Sequence, residues 1–183
     1  MVERVDRIFA AAPLPDEVRL ALVDRLGGLQ IPGKLVPPEN WHITLKFLGN
    51  IPEVTYERFL AALDEADLAA GFRVAVGGLG AFPKPRKAAV VWLGIVRGED
   101  RLLELADSCD RAALGAGLDA DDRPFRPHLT LSRVRPEVDV SRLVEGTPPL
   151  EIDWRCESIV VYRSHLGRGG ARYEPLETLP LSR

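Results

Sequence analysis

Two short segments of this chain carry the same pattern, His42-Ile43-Thr44-Leu45 and His128-Leu129-Thr130-Leu131, and they take two of its three histidines. A β-strand sends alternate side chains to opposite faces. Each His and its Thr therefore point one way, while Ile43 and Leu45, or Leu129 and Leu131, point the other way into a core. An imidazole exchanges its proton near neutral pH, and a hydroxyl beside it can donate to an anionic oxygen. Two such pairs on rigid strands suit general acid–base chemistry on a phosphate ester. The third histidine, His165, lies outside the pattern in a Gly-rich segment and reads as a loop residue.

The elements that must carry these pairs occur in the same order twice. Arg7 to Ala12 is an apolar run that reads as a buried strand ended by Pro13 and Pro15. A helix opens at Pro15-Asp16-Glu17, with Val18, Leu22, Val23 and Leu26 at helical spacing and Gly27-Gly28 as its stop. After a Pro- and Gly-rich loop, Trp41 to Leu48 alternates: Trp41, Ile43, Leu45 and Phe47 on one face, His42, Thr44 and Lys46 on the other. Gly49-Asn50 reads as a turn, 52–70 as a second helix and 72–79 as a strand. The second half repeats this with a strand over 89–96, a helix over 99–118, a polar loop over 119–127 and the second H-x-T strand over 128–134. A short helix over 138–144, one long strand over 150–162 and another over 172–179 complete the chain. A repeat of this length suggests two lobes related by a pseudo-twofold axis, with the H-x-T strands facing across a cleft.

The chain has 183 residues, 46% of them hydrophobic, enough for one domain with a proper core. Its net charge of −3 rules out a global positive field that would draw it onto long nucleic acid. The basic residues near the motifs, Lys46, Arg126 and Arg133, supply a local rim for short phosphate contacts instead. Phe125 and Tyr162 are the candidates for stacking on a base; Trp41 falls by parity on the core face. Cys109 and Cys156 form no C-x-x-C pair and read as reduced, buried thiols. With no leader-like or membrane-spanning run, a soluble, cytoplasmic, monomeric protein is expected. The histidines have no carboxylate or thiolate partner at ligand spacing, so neither a metal nor another cofactor is expected.

Five blocks, in order, carry a resemblance to a known family: 7–18 (R-I-F-A-A-A-P-L-P-D-E-V), 41–49 (W-H-I-T-L-K-F-L-G), 82–94, 124–134 (P-F-R-P-H-L-T-L-S-R-V) and 162–174. Together they resemble the two-histidine (2H) phosphoesterase superfamily and, within it, the RNA 2′,3′-cyclic phosphodiesterases, also called 2′-5′ RNA ligases. The resemblance implies one 2H phosphoesterase domain over 1–183. Its fold would be α+β, with two lobes, each an antiparallel sheet flanked by helices, corresponding to halves at about 1–87 and 88–183. It implies hydrolysis of RNA 2′,3′-cyclic phosphate ends to 2′-phosphates, with reversible 2′-5′ ligation as a companion activity. It implies His42 as proton donor and His128 as proton acceptor, with Thr44 and Thr130 on the phosphate; the residues by themselves are symmetric in the two roles. A different class remains open, a module that binds a nucleotide or RNA end on the same fold without turnover. A pure binder has no need of two titrating groups, which favours the enzyme.

Overall fold

The computed structural model describes residues 4–68, 70–121 and 123–182. In chain order the elements are β1 (Arg4–Pro13), α1 (Asp16–Leu26), β2 (Lys34–Leu35), a 3-10 turn (Pro38–Asn40), β3 (His42–Pro52), α2 (Glu53–Asp64), β4 (Phe72–Lys84), β5 (Lys87–Arg97), α3 (Glu99–Gly115), β6 (His128–Val138), α4 (Ser141–Gly146), β7 (Ile152–Cys156), β8 (Ser158–Gly167) and β9 (Gly170–Pro180). The strands form two sheets, one in the order β3-β1-β8-β9 and one in the order β2-β6-β5-β4-β7. Every pairing within them is antiparallel. The α+β architecture of two antiparallel sheets is the one expected.

The halves are not the lobes. The expected boundary near residue 87 falls inside the β4–β5 hairpin, whose last pair is Lys84 with Lys87. Each sheet nonetheless runs from its H-x-T strand to a central strand to a third antiparallel strand: β3-β1-β8 in one, β6-β5-β4 in the other. The third strand comes from the end of the chain in the first sheet and from its middle in the second. For the same reason the single strand expected over 150–162 is two. β7 pairs with β4 in the second sheet, the chain passes Glu157, and β8 pairs with β1 in the first. The turn expected at Gly49-Asn50 is absorbed into β3. Gly49 takes φ +75°, and the Asn50 side-chain oxygen accepts a hydrogen bond from the Arg7 backbone N–H.

A bulge changes which residues of β3 face the cleft. Thr44 lies opposite Ala11 and Lys46 opposite Ala10, so Leu45 is the extra residue. Beyond it the faces exchange. Lys46, expected beside His42 and Thr44, is only 3% exposed, whereas Phe47, expected in the core, is 66% exposed.

Each of the three longer helices buries one face: Val18, Leu22 and Leu26 on α1, Phe59 and Leu63 on α2, and Leu102, Leu105 and Cys109 on α3. Val23 of α1 is exposed instead. α2 ends at Asp64 and α3 at Gly115, each short of its expected end. Residue 69 of the expected α2 tail lies outside the described residues. Phe59 is fully buried, so Phe59→Ala is expected to destabilise the protein by about 3–5 kcal/mol, from lost transfer energy plus the cavity left behind. Guanidinium unfolding should show a lowered midpoint at an unchanged slope. A loss under about 1 kcal/mol would mean that α2 does not seal this core.

Candidate active site

His42 and His128 each open their strand, and each ring folds back on the chain before it. His42 Nδ1 lies 2.8 Å from the Asn40 carbonyl oxygen and His128 Nδ1 lies 2.7 Å from that of Arg126. A carbonyl oxygen only accepts, so both rings carry a hydrogen on Nδ1, and in the neutral form Nε2 is the basic nitrogen. Thr44, two residues along the same face, donates its hydroxyl to His42 Nε2 at 2.8 Å. Asn40 is itself held, its side-chain amide donating to the Ala171 carbonyl at 2.6 Å. The first ring is thus tied to β9 through one residue.

β3 and β6 come into contact, and their H-x-T residues line one cavity. His42, Thr44, His128 and Thr130 all border a cleft of about 860 Å³. Its charged lining residues are Arg7, Lys34 and Arg133, all cationic. A second cavity, of about 1150 Å³, shares Thr44, Phe47, Phe82, Val90 and His128 with the first and continues past Arg123, Phe125 and Arg126. His42 opens on the first cavity only; His128 opens on both. In the second, the cations Lys46, Arg123 and Arg126 face the carboxylates Asp107, Asp110 and Asp121.

Each imidazole is packed by aromatic rings. Phe9 from β1 lies 4.9 Å from the His42 ring, and Tyr173 meets it edge-on at 5.2 Å. Phe82 from β4 meets the His128 ring edge-on at 5.0 Å, backed by Trp92. A Cβ at Gly80 would overlap the Trp92 ring, so glycine there lets the indole lie flat on β4. Burial lowers the proton affinity of both histidines. His42 falls to about 4, driven by burial first and then by the charges of His128, Arg133 and Arg19, against the opposing Asn40 carbonyl. His128 is lowered by burial and by Arg133, against the Arg126 carbonyl. Cys109 and Cys156 are pushed up by burial to about 12 and about 11, which makes them poor nucleophiles.

The fold therefore brings together His42, Thr44, His128, Thr130 and Arg133 in the first cavity, with Phe125 and Arg126 in the second. Tyr162 stacks behind Phe9 at 5.3 Å and stands 6.3 Å from the His42 ring, a second layer behind the imidazole. Lys46 is not presented to a phosphate. Its Nζ is bound to Asp110 at 2.6 Å and Asp121 at 3.0 Å. Trp41 is buried as parity predicts and donates its indole N–H to the Val36 carbonyl. His165 lies on β8 and bonds Glu174 across the β8–β9 hairpin at 2.6 Å. Phe9, Asn40, Phe82 and Tyr173 were not singled out by sequence. Their signal is position: Asn40 and Arg126 each stand two residues before an H-x-T histidine.

A model of the 2′-5′ RNA ligase superfamily matches residues 14–168, a span that contains both H-x-T segments. The chain belongs to this superfamily. Among relatives, a Thermus thermophilus protein named RNA 2′,3′-cyclic phosphodiesterase is 35% identical, over 96% of this chain and 90% of that protein. The Escherichia coli protein of the same name is 31% identical over 96% and 97%. Among solved structures, E. coli LigT complexed with 3′-AMP superposes with a TM-score of 0.81 at 27% identity, over 99% of this chain and 100% of that one. This member of the 2′-5′ RNA ligase superfamily thus shares its two-sheet fold with a protein crystallised with a nucleotide.

Proposed function

We propose that the protein opens RNA 2′,3′-cyclic phosphate ends to 2′-phosphates, with the two H-x-T histidines as acid and base and without a metal ion. One observation carries this reading. Two imidazoles, each locked by a backbone carbonyl into the same tautomer, border one cavity whose charged lining residues are all cationic. The name RNA 2′,3′-cyclic phosphodiesterase carried by two relatives, and the nucleotide bound in the LigT structure, support the reading.

The cavities favour a division of roles. The RNA carries phosphates, so its body belongs in the cationic first cavity, beside Lys34, Arg7 and Arg133. The ribose O3′ leaves toward that side, the only one on which His42 opens, and His42 protonates it. Water attacks phosphorus in line from the opposite side, where His128 also opens, and His128 Nε2 takes its proton. The P–O3′ bond breaks, the new P–O bond forms, and the phosphate stays on O2′. Thr44 and Thr130 hydroxyls donate to the non-bridging oxygens as charge builds on them. With a 5′-hydroxyl in place of water the same displacement gives a 2′-5′ linkage. The second cavity is far larger than the ~30 Å³ share of one water and leaves room for that acceptor.

The test is incubation of the protein with a cyclic-phosphate-ended oligonucleotide in excess EDTA. The expected result is conversion to the 2′-phosphate at the rate seen without chelator. Loss of activity in EDTA, restored by a divalent cation, would contradict the two-histidine chemistry. Tight binding of the oligonucleotide with no conversion would establish the binding module instead.

A further inference from the structure

Among the described residues Lys46 is the only charged side chain in the buried interior. It stands two residues after Thr44 on the first H-x-T strand, yet the bulge at Leu45 turns it from the first cavity to the wall of the second. Its ammonium bonds one carboxylate on α3, Asp110, and one on the connection between α3 and β6, Asp121. Burial opposes its charge, but the two carboxylates outweigh burial and raise its pKa. A buried ion pair is weak evidence for stability, so its position must be explained by what it joins.

What it joins is the connection that ends at the second histidine. Among the described residues, the segment 119–127 makes no backbone hydrogen bond to a strand or helix. Two polar contacts fasten it: Asp121 to Lys46, and the Arg126 carbonyl to His128 Nδ1. The first lies five residues before the second, and the described residues between them form no helix or strand. The corresponding carbonyl of the first histidine is held differently, because Asn40 belongs to a 3-10 turn and bonds Ala171.

We propose that Lys46 is a positioning residue for His128: by holding Asp121 it clamps the connection against β3 and keeps the Arg126 carbonyl on Nδ1. The first H-x-T strand thereby sets the orientation and tautomer of the second strand's histidine. This rests on the two-histidine reading for its catalytic consequence, but its structural consequence stands alone and is measured separately.

The experiment combines ¹⁵N imidazole NMR with steady-state turnover of a cyclic-phosphate dinucleotide, for wild type, Lys46→Met, Lys46→Arg, Asp121→Asn and Asp110→Asn. In wild type His128 carries its hydrogen on Nδ1. In Lys46→Met and Asp121→Asn the His128 ring is expected to populate the Nε2–H tautomer, while His42, held by Asn40, keeps its own. In both, kcat falls about tenfold to hundredfold, as misplacement by an ångström costs, with KM little changed. Lys46→Arg restores most of the loss. Asp110→Asn leaves the Asp121 contact in place and has a much smaller effect. Asp121 is 58% exposed and its loss leaves Lys46 paired with Asp110, so that variant carries the test if Lys46→Met does not fold. An unchanged His128 tautomer in folded Asp121→Asn would overturn the proposal, as would equal effects of Asp121→Asn and Asp110→Asn. A wild type that shows the tautomer pattern but no turnover would leave the clamp standing and sink the catalytic reading instead.

Discussion

His42→Ala and His128→Ala are each expected to lower turnover of a cyclic-phosphate dinucleotide by about 10²–10⁴, the range that a positioned acid or base contributes. Both variants should stay folded. Each imidazole borders a cavity, and its strand is anchored by the buried Ile43 and Leu45 or Leu129 and Leu131. Thr44→Ala and Thr130→Ala should cost less, because water can enter the widened site and donate in place of the hydroxyl. Thr44 should cost more of the two, since it also holds His42 Nε2. Circular dichroism controls for folding. Wild-type turnover in either folded histidine variant would dissolve the pair.

The rate should also move steeply with pH, by about tenfold per pH unit on each limb outside the optimum. The productive form of the free protein holds one proton across the two rings. Burial depresses both, His42 to about 4, against an ordinary 6.5. Below about 4 both rings are protonated and the base is lost; above the upper of the two macroscopic values both are neutral and the acid is lost. The bell in kcat/KM should therefore peak on the acid side of 6.5. The profile of kcat should lie at higher pH, because a bound phosphate anion between the rings favours their charged forms. The same anion raises the proton affinity of His42, so its donor form is more populated in the complex than in the empty cleft. A kcat/KM optimum above pH 8 would contradict the depressed histidines.

What could be read from the sequence was whatever depends on a few neighbouring residues. The facing of His42 with Thr44 and of His128 with Thr130 is a matter of strand parity, and parity holds over two residues. It fails by Lys46 and Phe47, because the bulge at Leu45 is set by the register of β3 on β1, which nothing in the segment 41–48 encodes. The apolar stretch over 150–162 is indeed extended. Its division into β7 and β8 depends on which sheet has an open edge, a non-local fact. The strand orders β3-β1-β8 and β6-β5-β4 each start from an H-x-T strand, and those two strands were legible. The assignment of halves to lobes was not legible, because the end of the chain returns to pair with its beginning. The aromatic shell of Phe9, Phe82 and Tyr173 likewise appears only when distant strands meet. The sequence presents Lys46 as a phosphate contact because its charge is visible there and its carboxylate partners, 64 and 75 residues away, are not.

The division of labour between the histidines is tested most directly with a leaving group that needs no acid. A 3′-deoxynucleoside 2′-(4-nitrophenyl phosphate) places nitrophenolate, already stable as an anion, where the ribose O3′ would depart. Turnover of this diester is to be compared with that of the cyclic-phosphate dinucleotide for wild type, His42→Ala and His128→Ala. If His42 is the acid, His42→Ala should cleave the nitrophenyl diester within a few-fold of wild type while remaining about 10²–10⁴ down on the cyclic phosphate. His128→Ala, lacking the base, should be impaired on both. Rescue of His128→Ala instead, or equal impairment of both variants on the nitrophenyl diester, would contradict the account.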